Sequence, residues 1–205
     1  MEFIVFNISI QIFMPYLIIY MKEYLSFSVL EYSAVFAGAI VLGGAINLYL
    51  GRLSDKKEKS RLLYAAILIF AVGLFAMYMA REMLRVANLV FFGLSGLAMI
   101  TGYIFVAQLT GSIMSDYTPK DDVGKMQGVR MVFAVLIPMI FGPMIGNTVN
   151  KMRGTPLGET GAVEMTTAYI PAPEIFIVAS GIAMLSLILV YLLERVLEKR
   201  CSLES

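Results

Sequence analysis

The chain has 205 residues, of which 59% are hydrophobic and 15% are charged. Soluble domains are less apolar and carry about 25% charged residues, so the composition indicates an integral membrane protein. A net charge of +1 without a basic cluster argues against a nucleic-acid partner. The chain has no histidine and a single cysteine, Cys201, which argues against imidazole or thiolate metal sites and against histidine-based catalysis. We therefore expect neither an enzyme nor a bound cofactor.

Six apolar segments are long enough to cross a membrane. A helix needs about 20 residues to span a hydrocarbon core of about 30 Å, and lipid leaves no partners for unpaired backbone groups. The sequence therefore predicts an all-α polytopic membrane protein with one membrane domain over residues 1–205. The predicted spans are 3–21, 32–50, 61–80, 87–114, 126–149 and 174–196, and the tail is 197–205.

The distribution of basic residues predicts the orientation of these spans. With six spans, both termini lie on the same side of the membrane, together with the loops around 51–61 and 115–130. These two loops and the tail after residue 194 hold 11 of the 16 Lys and Arg residues. Cytoplasmic segments collect Lys and Arg, so we expect a cytoplasmic (plasma) membrane protein with both termini in the cytoplasm.

Polar side chains are unevenly distributed among the spans. Spans one, two, four and five carry amides and hydroxyls, whereas spans three and six carry few. Polar groups at membrane depth favour helices that border a water-filled path, so spans three and six are expected to be peripheral. Gln11 is the strongest candidate, because it lies in mid-span beside Pro15. The candidate lining residues are Asn7, Gln11, Tyr16, Asn47 and Gln108. The alternative for each is a packing role worth about 0.6–2 kcal/mol.

A charged turn separates the second and third spans. It reads Gly51-Arg52-Leu53-Ser54-Asp55-Lys56-Lys57-Glu58-Lys59-Ser60, and it is too polar to lie in hydrocarbon. Six of its residues resemble the loop motif of major facilitator superfamily (MFS) transporters, Gly-x-Leu-(Ala/Ser)-Asp-(Arg/Lys)-x-Gly-(Arg/Lys)-(Arg/Lys). Glu58 and Ser60 depart from that motif. In the fifth span, Gly142-Pro143-Met144-Ile145-Gly146 is similar to the Gly-Pro-x-x-Gly sequence of MFS fifth or eleventh helices, which implies that Gly142, Pro143 and Gly146 serve helix packing.

The resemblance implies a fold and a gate. The six helices would form two inverted three-helix repeats, which is half of an MFS fold, with the third helix of each repeat outermost. The gate would be a conformational latch formed by Gly51, Asp55, Lys56, Lys59 and Arg130, and Arg130 is a candidate ion-pair partner for Asp55. Residues 126–131 resemble helix openings in the glycoside–cation symporter branch. We therefore expect the C-terminal half of a transporter, with an N-terminal half missing.

The expected function is half of a secondary transporter that moves a small polar solute, sugar-like or other, by alternating access. No carboxylate lies in mid-span, so coupling to a proton or sodium ion, as in a symporter, would use the missing half. The chain should then be inactive without a partner half or a second copy. The alternatives left open are a non-transporting membrane scaffold or assembly subunit and a truncated gene product.

Overall fold

The computed structural model describes residues 2–54, 59–80, 85–117, 123–156 and 169–204. Within these ranges the chain forms six long helical segments and one short pair of strands. We name the helical segments α1 to α6 in chain order. The uninterrupted helices are α2 (Val29–Ser54), α3 (Lys59–Met79), α4 (Arg85–Tyr117) and α6 (Glu174–Glu204). Each of the six segments contains a stretch long and apolar enough to cross a membrane, as predicted.

Two of the segments change helix type along their length, and both contain proline. Segment α1 runs through Glu2–Phe13, a 3-10 turn at Met14–Tyr16, then Leu17–Ile19 and a π-helical turn at Tyr20–Tyr24. Segment α5 runs through Val123–Met131, a π-helical turn at Val132–Leu136, and Ile137–Arg153. Proline has no N–H to donate, which explains why the regular hydrogen-bond ladder is interrupted near Pro15 and Pro138.

The contacts between helices have an internal symmetry. Segment α1 packs against α5 and α6, α4 packs against α2 and α3, and α3 packs against α6. Exchanging α1 with α4, α2 with α5 and α3 with α6 reproduces the same set of contacts. The two helices of each exchanged pair are three helices apart in the chain, so they cross the membrane in opposite directions. The two three-helix units therefore have inverted orientations. This arrangement confirms the predicted fold class.

The six helices differ in how much of each is buried inside the bundle. In α3 and α6, 44% and 39% of the most apolar window is buried, compared with 11% in α2 and 17% in α5. The least buried helices of this six-helix unit are therefore α2 and α5. The third and sixth helices, which the sequence predicts to be peripheral, pack against each other and keep exposed apolar residues such as Leu68 and Ile188.

The core of the bundle is aromatic and closely packed. Tyr20 of α1, Phe92 of α4 and Phe176 of α6 form a cluster in which the Tyr20 and Phe176 ring centroids are 4.9 Å apart. The backbones of α3 and α4 approach closely at Gly102, where a Cβ atom would lie 2.7 Å from the backbone nitrogen of Phe70. Small residues at such crossings allow close helix packing in membranes.

Two further features differ from the sequence prediction. Segment α6 continues to Glu204, so the described part of the predicted tail is helical, although its apolar stretch ends at Leu192. Leu, Glu, Lys and Arg are good helix formers, which explains why the helix extends beyond the apolar part. Between α5 and α6, β1 (Thr155–Pro156) pairs antiparallel with β2 (Tyr169–Ile170).

Candidate functional site

The candidate site is the open face of α1 and α4. The rings of Phe6 on α1 and Tyr103 on α4 stack with centroids 6.3 Å apart, so the two helices are neighbours at this level. Asn7 and Gln11 are half-buried on α1, and Tyr103 is 36% exposed on α4. Residues four apart share one face of a helix, so Asn7 and Gln11 present amides on the same side of α1.

Gln11 has an amide that can interact with a solute, and it lies close to the point where the regular helix of α1 is interrupted. Its amide makes no hydrogen bond within the part of the chain that the structure describes. Four residues further on, Pro15 lacks the N–H that would normally bond to the Gln11 carbonyl oxygen. Polar groups at interrupted helices near the middle of the membrane are the usual components of solute sites in secondary transporters.

At the level of Gln11, α1 is held tightly against α5. A Cβ atom added to Gly142 would overlap Gln11, and one added to Gly146 would overlap the carbonyl group of Ile12 and lie 2.8 Å from Cε2 of Tyr16. The Tyr16 hydroxyl donates a hydrogen bond to the carbonyl oxygen of Pro143 at 3.1 Å. Tyr16 is therefore engaged in helix packing at this position, with only part of its ring accessible.

Asn47 does not lie on the open face, contrary to the role expected from the sequence. Its side chain is 1% exposed, and Nδ2 donates to the carbonyl oxygens of Gly43 at 2.8 Å and Thr101 at 3.3 Å. The second of these bonds joins α2 to α4, so the packing role is the one that the geometry supports. An amide in a membrane span suits either role, and only the position of the neighbouring helix distinguishes them.

Gln108 lies on a different side of α4 from Tyr103. It is exposed, but five residues separate the two, which places them about 140° apart around the helix. The structure therefore does not bring Gln108 together with Asn7 and Gln11. Tyr103 was missing from the residues expected to line the path, although a tyrosine in the middle of an apolar span was a signal that could have identified it.

Two of the latch candidates, Lys59 and Arg130, lie at the C-terminal end of α4. Lys59, at the start of α3, donates from Nζ to Oγ of Ser112 at 2.8 Å. The two terminal guanidinium nitrogens of Arg130, near the start of α5, lie 3.8 Å from the position of a Cβ on Gly111. Cations are favoured near the carbonyl-rich end of a helix.

Within the described residues, the structure shows no contact that would assign a latch role to the remaining candidates, Gly51, Asp55 and Lys56. Asp55 and Lys56 lie outside the described residues, and Gly51 lies near the end of α2, where an added Cβ would meet nothing within 4 Å. Ser112 was not among the residues expected from the sequence. Nothing in its local sequence distinguishes it from the other serines, because its partner comes from a helix far along the chain.

Two inverted three-helix units, with a polar face on the first helix of each unit, define one half of a membrane transporter. A family model described as Major Facilitator Superfamily matches residues 3–204, and the chain belongs to that superfamily. The comparisons with curated proteins and with solved structures returned no match. The family match does not single out the glycoside–cation symporter branch.

Proposed function

We propose that the chain is one half of a secondary transporter that moves a small polar solute across the cytoplasmic membrane by alternating access. The observation that carries this proposal is Gln11, which is half-buried at the contact of α1 with α5 and whose amide makes no hydrogen bond among the described residues. Members of this superfamily are transporters, and the solute site would lie between two halves near the middle of the membrane.

The exposed helices support the need for a second half. Segments α2 and α5 are the least buried of the six, and they flank the open face of α1 and α4 through their contacts with α4 and α1. A second six-helix half packed on α2 and α5 would cover their apolar sides and enclose Asn7, Gln11 and Tyr103. The partner is a separate N-terminal half or a second copy of this chain, and a proton or sodium ion would couple through its carboxylates.

The basic residues near the end of α4 support a latch. Lys59 and Arg130 belong to different three-helix units, yet both reach the last turns of α4. We infer that Gly51, Asp55, Lys56, Lys59 and Arg130 form the cytoplasmic gate latch, since a contact that joins the two units has to rearrange when the units move relative to each other. The latch would bind no solute.

Uptake measurements test the proposal. Cells would express this chain alone, this chain with a six-helix half encoded by a neighbouring reading frame, or the two joined as one polypeptide. Uptake of a panel of radiolabelled monosaccharides and disaccharides should require both halves and fall at least tenfold with Gln11→Leu, while Leu68→Ala on the exposed side of α3 should have little effect. Equal uptake by the chain alone would contradict the half-transporter assignment. No uptake by any combination, with all proteins in the membrane, would favour a scaffold or assembly subunit.

The proposed orientation is tested separately. With Cys201 replaced by serine, single cysteines at Lys57 and Thr160 should react with a membrane-impermeant thiol reagent from opposite sides. Labelling of both from the same side would contradict six spans with cytoplasmic termini.

A further inference from the structure

The π-helical turn Val132–Leu136 gives α5 one residue more than a regular helix would hold. The N–H of Ile137 donates to the carbonyl oxygen of Val132, five residues back, whereas in an α-helix it would donate to that of Phe133. The exchange that relates the two three-helix units pairs α5 with α2, and α2 is an uninterrupted α-helix. The turn is therefore not a general requirement of this fold. Single π-turns within α-helices are frequent at functional sites.

The burial pattern of α5 indicates what the additional residue does. Arg130 is half-buried, and Pro138 and Gly142 are buried, so the three lie on the face of α5 that meets the rest of the bundle. On a regular α-helix, residues eight apart would point about 80° away from each other. The additional residue removes about 100° of rotation, which leaves Arg130 within about 20° of Pro138. The π-turn therefore brings Arg130 onto the buried face of α5.

The part of α5 before the turn has little buried surface. Among the residues from 124 to 131 whose burial the structure describes, Arg130 alone is not exposed. Its two terminal guanidinium nitrogens lie 3.8 Å from the position of a Cβ on Gly111, near the C-terminal end of α4. A rotation of this part about the helix axis would therefore disturb little packing, and its main effect would be to move Arg130 away from α4.

Pro138 favours the π-helical form of the turn. In a regular helix the N–H of residue 138 would donate to the carbonyl oxygen of Ala134, but proline has no N–H. The regular form cannot make that bond, so it has less advantage over the π-turn than in a helix without proline. When the additional residue is taken up into regular helix, the preceding part turns by about 100° relative to the rest of α5.

We propose that this turn is a register switch for Arg130. In the π-helical form Arg130 faces the C-terminal end of α4, and in the regular form the rotated helix carries Arg130 away from Gly111. The use of this switch in gating rests on the proposed latch, to which Arg130 belongs. Two discrete helix forms are the kind of two-state element that a conformational gate requires.

Two variants that both remove the π-turn should have different effects on Arg130. Deletion of Val135, which is 42% exposed, removes the additional residue, so the helix becomes regular while Arg130 keeps its direction. Pro138→Ala restores the N–H but keeps the additional residue, so the regular helix turns Arg130 by about 100°. Combining the two changes should restore the original direction. Val135→Ala, which keeps the chain length and the proline, is the control.

Distances between spin labels in the purified chain measure this direction. With Cys201 replaced by serine, Val129→Cys carries one label, and Gln108→Cys on α4 or Leu68→Cys on α3 carries the other, so that a rotation changes at least one distance. A side chain about 5–6 Å from the helix axis moves by about 8 Å in a rotation of about 100°. We expect a shift of several ångström in Pro138→Ala. The deletion, combined and control variants should keep both distances of the unaltered chain.

Equal distances in Pro138→Ala and in the deletion variant would overturn the proposal, because the turn would then have no effect on the direction of Arg130. If the deletion of Val135 prevents folding, deletion of Leu136, which is 55% exposed in the same turn, tests the same point. Uptake by the assembled transporter separates the switch from the latch. Opposite shifts of the inward-open and outward-open balance in the two variants would support both. The expected distances with unchanged uptake would support the switch and contradict the latch.

Discussion

The hydroxyl of Tyr16 donates a hydrogen bond to the carbonyl oxygen of Pro143 at 3.1 Å, which joins α1 to α5. Tyr16 ends the 3-10 turn Met14–Tyr16, which contains Pro15, and Pro143 lies inside the last helical part of α5. The bond therefore connects the two helices beside their proline residues, where regular helical hydrogen bonding is weakest. We infer that α1 and α5 move together when the transporter changes conformation.

The first prediction concerns this bond. Tyr16→Phe should lower the free energy of unfolding by about 0.6 kcal/mol, the average for hydrogen bonds between membrane helices. Equilibrium unfolding in detergent mixtures measures it. Tyr191→Phe, at a tyrosine that is 47% exposed on α6, is the matched control and should change the free energy of unfolding little. If the two variants behave alike, the Tyr16 hydroxyl contributes nothing to the contact of α1 with α5.

The second prediction concerns the close contact at Gly146. A methyl group there would overlap the Ile12 carbonyl and the Tyr16 ring, so Gly146→Ala should lower the free energy of unfolding by about 1–3 kcal/mol. Gly44→Ala is the control, because an added Cβ at Gly44 meets nothing within 4 Å. Thermal unfolding of both purified variants measures the difference. Equal midpoints would show that α1 and α5 do not pack this closely.

The third prediction concerns the attachment of α2. Asn47→Leu removes the donor that bonds to the Thr101 carbonyl oxygen, and α2 has little other buried surface, so the variant should be less stable by about 0.6–2 kcal/mol. Asn147→Leu on the exposed side of α5 should change stability by less than about 0.5 kcal/mol. Unfolding of the two variants in detergent provides the measurement, and an unaffected Asn47→Leu protein would contradict the packing role.

The fourth prediction concerns the proposed latch. Lys59→Gln, Arg130→Gln and Asp55→Asn should each change uptake by the assembled transporter severalfold, since each would shift the balance of inward-open and outward-open states. The control is Arg52→Gln, because Arg52 is exposed and occupies a variable position of the loop motif. Uptake, together with the rate of cysteine labelling from each side, measures the shift. If all three variants match the control, the cluster serves only topology and contact with lipid headgroups.

The sequence predicted the six helices well because span length and apolarity are properties of each segment alone. The inverted pairing also agrees with the expected family fold. The sequence left the role of Asn47 open for a physical reason: the role depends on which helix lies alongside, and Asn47 and Thr101 meet only in the folded bundle. The contact of Lys59 with Ser112 could not be predicted for the same reason, because the two residues lie far apart in the sequence. Gln11 and its neighbour Pro15 could be identified because they are close in sequence.

The most direct test of the central claim is the accessibility of position 11 to water. With Cys201 replaced by serine, Gln11→Cys would be labelled with a charged, membrane-impermeant thiol reagent, in the membrane of the cell that makes the protein. Leu68→Cys, at a residue that is 48% exposed on α3, is the control that faces lipid. Because thiols react as thiolates and need water to ionise, we expect the cysteine at position 11 to react at least tenfold faster. Equal or negligible reaction at both positions would contradict the claim that α1 borders a path for polar solutes.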